Sequence, residues 1–147
     1  MVIDEQLFPT KARCRFTQYM SSKPDIFGQT FWLAVDNDSK YLVHALPYLG
    51  KDDQRKDNDR LADHVVKQLV GPFLNKERNL PCDNYFTLLR LADHLKSKDT
   101  TLVGTVNKSR KEVPNRVKNA REVLYESKIY KNNDVSLTVY QGGKIRM

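Results

Sequence analysis

The sequence is poor in cysteine, and its two cysteines, Cys14 and Cys82, lie far apart with no close Cys or His partner. That spacing suggests neither a disulfide framework nor a zinc knuckle, and the expected state of each is a buried, reduced thiol. No apolar run is long enough to span a bilayer, and the first residues lack the basic-then-apolar layout of a secretory signal. An intracellular protein without a membrane partner is therefore expected. Internal repeats are also absent.

What is present is an ordinary globular balance. In 147 residues, 39% are hydrophobic and 29% charged, enough for one domain with a real core and too few for two comfortable ones. The net charge of +7 is unevenly placed. Residues 1–73 hold 10 Lys+Arg against 10 Asp+Glu, whereas residues 74–147 hold 15 against 8. A basic half points to a phosphate-bearing partner such as nucleic acid.

Along the chain, Met1 to Leu7 reads as a strand. A basic, aromatic segment follows, in which Lys11, Arg13 and Arg15 interleave with Phe16 and Tyr19. Such a segment suits either a nucleic-acid backbone, held by charge and stacking, or a surface loop whose aromatics fold back onto the core. Thr30–Val35 and Tyr41–Leu49 read as an antiparallel hairpin about the turn Asp36 to Lys40. His44, alone within that hairpin, reads as a structural histidine. The charged run from Lys51 to Arg60, with Asp52 and Asp53, reads as a solvated loop rather than a metal site.

From Leu61 the apolar positions Val65, Val66, Leu69 and Val70 follow a helical rhythm, weakened at Gly71-Pro72. A strand over Asn79 to Cys82, a helix carrying Tyr85, Leu88, Leu89, Ala92 and Leu95, and a strand over Thr101 to Val106 then form a βαβ crossover, which calls for parallel pairing. After Asn107 the chain turns basic: Lys108, Arg110, Lys111, Arg116, Lys118, Arg121, Lys128 and Lys131 face three acidic residues. Pro114 and the lack of a clean period argue against one long helix there. Val135 to Tyr140 is a last strand.

Asp83 ends an apolar run at the mouth of a helix. As a lone feature it reads as a helix cap, its side-chain oxygen satisfying orphan N–H groups. A second carboxylate, Asp4, lies within the first strand. If the two strands are neighbours, the carboxylates emerge together and can share a hard divalent cation, which prefers carboxylate oxygen and water.

Several ordered blocks carry a family resemblance over essentially the whole chain. They are Ile3-Asp4-Glu5-Gln6-Leu7, Arg13-Cys14-x-Phe16-x-x-Tyr19-Met20, Lys23-Pro24, Phe27-Gly28, Phe31-Trp32 to Asp36, Pro47-Tyr48-Leu49-Gly50-Lys51, Cys82-Asp83-Asn84-x-Phe86-Thr87 and Leu102-Val103-Gly104-Thr105-Val106. In these the chain resembles the catalytic domain of piggyBac-type transposases, including transposase-derived proteins of animal genomes.

The resemblance implies an α/β, RNase H-like mixed sheet, an antiparallel hairpin plus a βαβ unit with flanking helices. It also implies nuclear location and Mg²⁺- (or Mn²⁺-) dependent cutting and joining of DNA. Asp4 matches the family's first catalytic and metal-binding aspartate and Asp83 its second. Lys11, Arg13, Arg15 and Tyr19, with Lys108, Arg110, Lys111, Arg116 and Lys118, are the candidate DNA contacts.

Three departures stand out. Ala12 and Ser21 replace a family glycine and proline, and Ile26 replaces a lysine; loss of the glycine raises the question of a loop that needs positive φ. The family's third aspartate lies beyond an inserted region starting near Lys108, so the fold is expected to stop before its last helix. Glu122, Glu126 and Asp134 are substitutes only by residue type. The expected division is a partial catalytic core over 1–107 and a basic inserted region over 108–147. The expected function is a transposase core inactive alone, with weak metal binding and, in the intact family, a possible homodimer. The alternatives are a non-enzymatic DNA-binding or protein-interaction module of the same descent, and an unrelated basic α/β domain.

Overall fold

The computed structural model describes residues 1–50, 60–119 and 123–143. Its contacts divide the chain into two compact units, Met1–Val106 and Asn107–Met147. Asp52, Asp53 and Glu122 lie outside the described residues.

The first unit holds β1 (Val2–Pro9), β2 (Thr17–Tyr19), β3 (Phe27–Val35), β4 (Leu42–Pro47), α1 (Leu61–Val70), a short 3₁₀ turn at Gly71–Phe73, β5 (Arg78–Cys82), α2 (Leu89–Lys96) and β6 (Thr100–Gly104). Six strands make one sheet in the order β2-β3-β1-β5-β6, with β4 also paired to β3. β1 runs antiparallel to β3 with Glu5 opposite Trp32, and β3 antiparallel to β4 with Leu33 opposite Ala45. β5 is parallel to β1 on one side and to β6 on the other, as the β5-α2-β6 crossover requires.

The β3–β4 turn closes on side-chain chemistry. Asp36 Oδ2 accepts the Ser39 N–H at 3.0 Å and the Ser39 hydroxyl at 2.6 Å, which lowers the Asp36 pKa, and Lys40 adopts φ 60°.

Both helices present one apolar stripe to the sheet. Ala62, Val65, Val66, Leu69 and Val70 of α1 join Leu91 and Leu95 of α2, Ile3 of β1, Ala34 of β3 and Leu80 and Cys82 of β5 in a single core. Half-buried on β4, His44 has its Nδ1 3.2 Å from the Leu69 carbonyl of α1, in keeping with the structural role read from the sequence. The buried Asp63 of α1 accepts a bond from Arg90 Nη2 of α2 at 2.5 Å, tying the two helices together.

In the second unit, α3 is one turn over Asn115–Lys118, and β7 (Ser127–Asn132) pairs antiparallel with β8 (Val135–Tyr140). The guanidinium of Arg116 sits 5.3 Å from the Tyr130 ring centroid. Among the described residues no helix is long and apolar enough to cross a membrane.

Candidate metal and nucleic-acid site

Asp83 does not cap a helix. The residue at the N-cap of α2 is Leu88, with no side-chain cap, and α2 begins at Leu89. Asp83 instead closes a turn of its own: its Oδ1 accepts the N–H groups of Tyr85 at 3.0 Å and Phe86 at 3.2 Å. Its carbonyl accepts the Thr87 N–H at 3.1 Å and the Thr87 hydroxyl at 2.6 Å. This Asx turn competes with the helix for the same residues, so the helical rhythm read through Tyr85 starts one turn too early.

Asp4 is exposed on β1, with its Oδ1 accepting the Glu5 N–H at 2.8 Å. The parallel register pairs Ile3 with Cys82. Asp4 follows Ile3 within β1 and Asp83 follows Cys82 just past the end of β5, and both are exposed. In both, Oδ1 is turned to local backbone donors, and Oδ2 takes no hydrogen bond among the described residues. Carboxylate oxygens held beside solvent are the donors a hard divalent cation takes, with water completing its shell. No cluster of three or more His, Cys, Asp or Glu able to hold a metal ion occurs among the described residues. Next to Asp83, burial and the Asp83 charge push the Cys82 thiol up to about 12, so this sulfur stays protonated.

Lys11, Arg13 and Arg15, with Ala12, Cys14, Thr17 and Phe27, line an open concavity of about 730 Å³ at the β1–β2 connection. Arg15 covers the Phe16 ring at 4.6 Å, and Tyr19 lies exposed against Phe27 with centroids 5.1 Å apart. Lys108, Arg110, Lys111, Arg116 and Lys118 all belong to the second unit, as do Glu126 and Asp134. Ala12 is not among the described residues with positive φ, so alanine meets no backbone strain where the family carries glycine.

A family profile described as Transposase IS4 matches residues 1–146. The chain belongs to this transposase family. Among solved structures, the chain resembles the piggyBac transposase of a cryo-EM synaptic complex with hairpin DNA, at 33% identity and a TM-score of 0.89. The match covers 97% of this chain and 30% of that one, so the chain spans about a third of its relative's length.

Two residues that sequence reasoning did not single out hold the Asp83 turn in place. Phe86 is fully buried and anchors the turn in the core. Gly104, opposite Cys82 in the parallel pair, leaves the space that the Thr87 hydroxyl and the Cys82 carbonyl occupy; a Cβ there would overlap both. The signal was in the Cys82-to-Thr87 and Leu102-to-Val106 blocks, whose aromatic, hydroxyl and glycine members have no catalytic chemistry of their own.

Proposed function

We propose that this domain is the DNA-handling core of a piggyBac-type transposase, built on an RNase H-like sheet, in which Asp4 and Asp83 together hold a divalent cation against a DNA phosphodiester. The observation that supports this reading is the parallel β1–β5 register, which pairs Ile3 with Cys82, the residues just before Asp4 and Asp83. The sheet order supports it, since the antiparallel β4-β3-β1 sequence joined to parallel β5 and β6 is the arrangement expected of that fold.

Backbone donors from Glu5, Tyr85 and Phe86 fix one oxygen of each carboxylate and leave the other directed to the cation. When bound, Mg²⁺ or Mn²⁺ supplies activation of the attacking oxygen and neutralises charge on the phosphate. Lys11, Arg13 and Arg15 hold the DNA backbone by charge, with Tyr19 as a stacking surface, and the basic residues of the second unit add further phosphate contacts. The relative's complex with hairpin DNA supports DNA as the partner, and the resemblance implies work in the nucleus.

The experiment is a titration of Mg²⁺ and Mn²⁺ into the chain and into an Asp4→Asn, Asp83→Asn double variant, reading thermal stability. A saturating rise in Tm of a few degrees, lost in the double variant, is expected of a weak site filled to about ten times its Kd. Equal curves for the two proteins overturn the metal reading. DNA affinity that fails to fall with salt, by a log–log slope near −0.9 for each phosphate neutralised, overturns the DNA reading.

A further inference from the structure

The two edges of the six-stranded sheet are guarded unequally. One edge is made by β2, only three residues long, and by β4, which closes on Pro47 and whose ladder with β3 slips register at Ala34/Val35. Short strands, prolines and bulges keep an edge from pairing with another chain. The other edge is β6, which pairs only with β5 among the described residues. Its residues, Thr100-Thr101-Leu102-Val103-Gly104, include no proline and no charge, and the ladder with β5 runs unbroken from Arg78 opposite Thr100 to Cys82 opposite Gly104. Thr100 is buried and Leu102 packs on the core, so Thr101 and Val103 alternate to the open face, with Val103 57% exposed.

Charge is gathered at one end of this edge. Arg78 Cζ and Lys76 Nζ lie 5.9 Å and 6.0 Å from the Phe73 ring centroid, and the Lys98 carbonyl accepts the Asn75 N–H at 2.9 Å, which ties the loops before β5 and β6 together. Residues 76–78 and 96–99 hold Lys76, Arg78, Lys96 and Lys98 against Glu77 and Asp99. From Leu102 to Val106 there is no charged residue. The edge thus pairs a cationic start with an apolar finish.

We infer that the open edge of β6 takes one extended peptide strand from a protein partner, added antiparallel, with its acidic C-terminal end against Arg78 and Lys98 and a β-branched residue beside Val103. Only a peptide backbone matches the spacing of the donors and acceptors along a strand edge, and the pockets and charges beside it choose the sequence. An antiparallel strand on the edge of a parallel pair is a common arrangement, and it sets the C-terminal end of the newcomer beside the start of β6. A second copy of this chain fits less well. Twofold pairing of β6 with itself would set the cations of each copy against the apolar end of the other, between molecules that each carry +7. The inference uses none of the residues that the DNA reading assigns and stands apart from it.

The probe is a short fluorescein-labelled peptide of alternating valine and threonine that ends in three acidic residues, followed by anisotropy against the full chain. Three companions share its composition. One has the sequence reversed, so that the acids come first. The other two are N-methylated at alternate amides, one on each edge of the peptide strand.

The probe is expected to bind saturably. The companion whose methyl groups face β6 should bind about tenfold more weakly, and the one methylated on its outer edge should match the probe. The reversed peptide, and an Arg78→Gln, Lys98→Gln double variant of the chain, should each lower affinity about fivefold; the variant should keep its Tm, since both side chains are exposed. Equal binding of the two methylated peptides means that no ladder forms and overturns the inference. So does a reversed peptide that binds as well as the probe, because charge then acts without register, and so does a probe that fails to bind. Displacement of the probe by single-stranded DNA, lost in the double variant, would assign the cations to nucleic acid. Dimerisation of the chain that excludes the probe would assign the edge to a second copy, and either result overturns the peptide reading.

Discussion

The two units of the chain solve the problem of burial differently. In the first, helices and sheet close over one continuous core running from Ile3 to Leu95. In the second, only Val113 and Val117 are buried among the described residues, and the β7–β8 hairpin leaves Ile129 70% exposed and Tyr125 72% exposed. A two-stranded hairpin has no face to hide, so its order rests on the ladder, on its turn and on contacts such as Arg116 over Tyr130. The first unit is held by side chains that exclude water; the second is held by backbone pairing at the surface.

That contrast can be broken most forcefully at Phe86. Phe86→Ala removes a fully buried ring and should cost about 3–5 kcal/mol in chemical denaturation, whereas Ile129→Ala should stay within about 0.5 kcal/mol. Comparable losses at the two sites would mean that the hairpin has a core after all.

A sharper test concerns the link between packing and the carboxylates. Gly104→Ala sets a methyl group against the Thr87 hydroxyl and the Cys82 carbonyl, and should cost about 1–3 kcal/mol. It should also weaken the Mg²⁺-induced rise in Tm, because the Asp83 turn must shift to make room. A variant that is destabilised but keeps the full metal response would separate the turn from the site.

The smallest effect is alkaline. Folding raises the Cys82 thiol from 9.0 to about 12, so the unfolded chain ionises first and stability is lost from about pH 9 upward. Relative to Cys82→Ala, the decline should be about 1 kcal/mol for the first pH unit above 9. At pH 8, a thiol reagent should label Cys14, which is partly exposed, and spare Cys82. Labelling of both in the native protein would show that the first unit opens readily.

The same contrast explains what could be read from the sequence. Thr30 to Val35, Leu61 to Val70 and Thr101 to Gly104 were legible because a buried face imposes a period on their residues. β2 was not, since its three residues owe their conformation to pairing with the first residues of β3. β7 was missed because Ser127, Lys128, Lys131 and Asn132 give it no apolar alternation; the signal lay in the turn, where Asn133 adopts φ 49° beside Asp134.

At the candidate site, the acids could be named from a resemblance, and their adjacency required the β1–β5 register. The misplaced start of α2 has a related cause. Tyr85 and Leu88 keep the helical spacing, but the Asp83 side chain takes the backbone donors of Tyr85 and Phe86 before a helix can.

The β1–β5 join has one more consequence, in time rather than space. β1 can pair with β3 as soon as the first hairpins form, and α1 can settle on that sheet. The partner that brings Asp83 to Asp4 is made only after most of the first unit has been synthesised, and it meets the opening strand through one residue pair, Ile3 with Cys82. Long loop closures are slow to nucleate and are rewarded late. Asp4 and Asp83 therefore belong to the strands that meet late in folding, and a growing chain keeps the two carboxylates on separate pieces until the sheet around them is nearly complete.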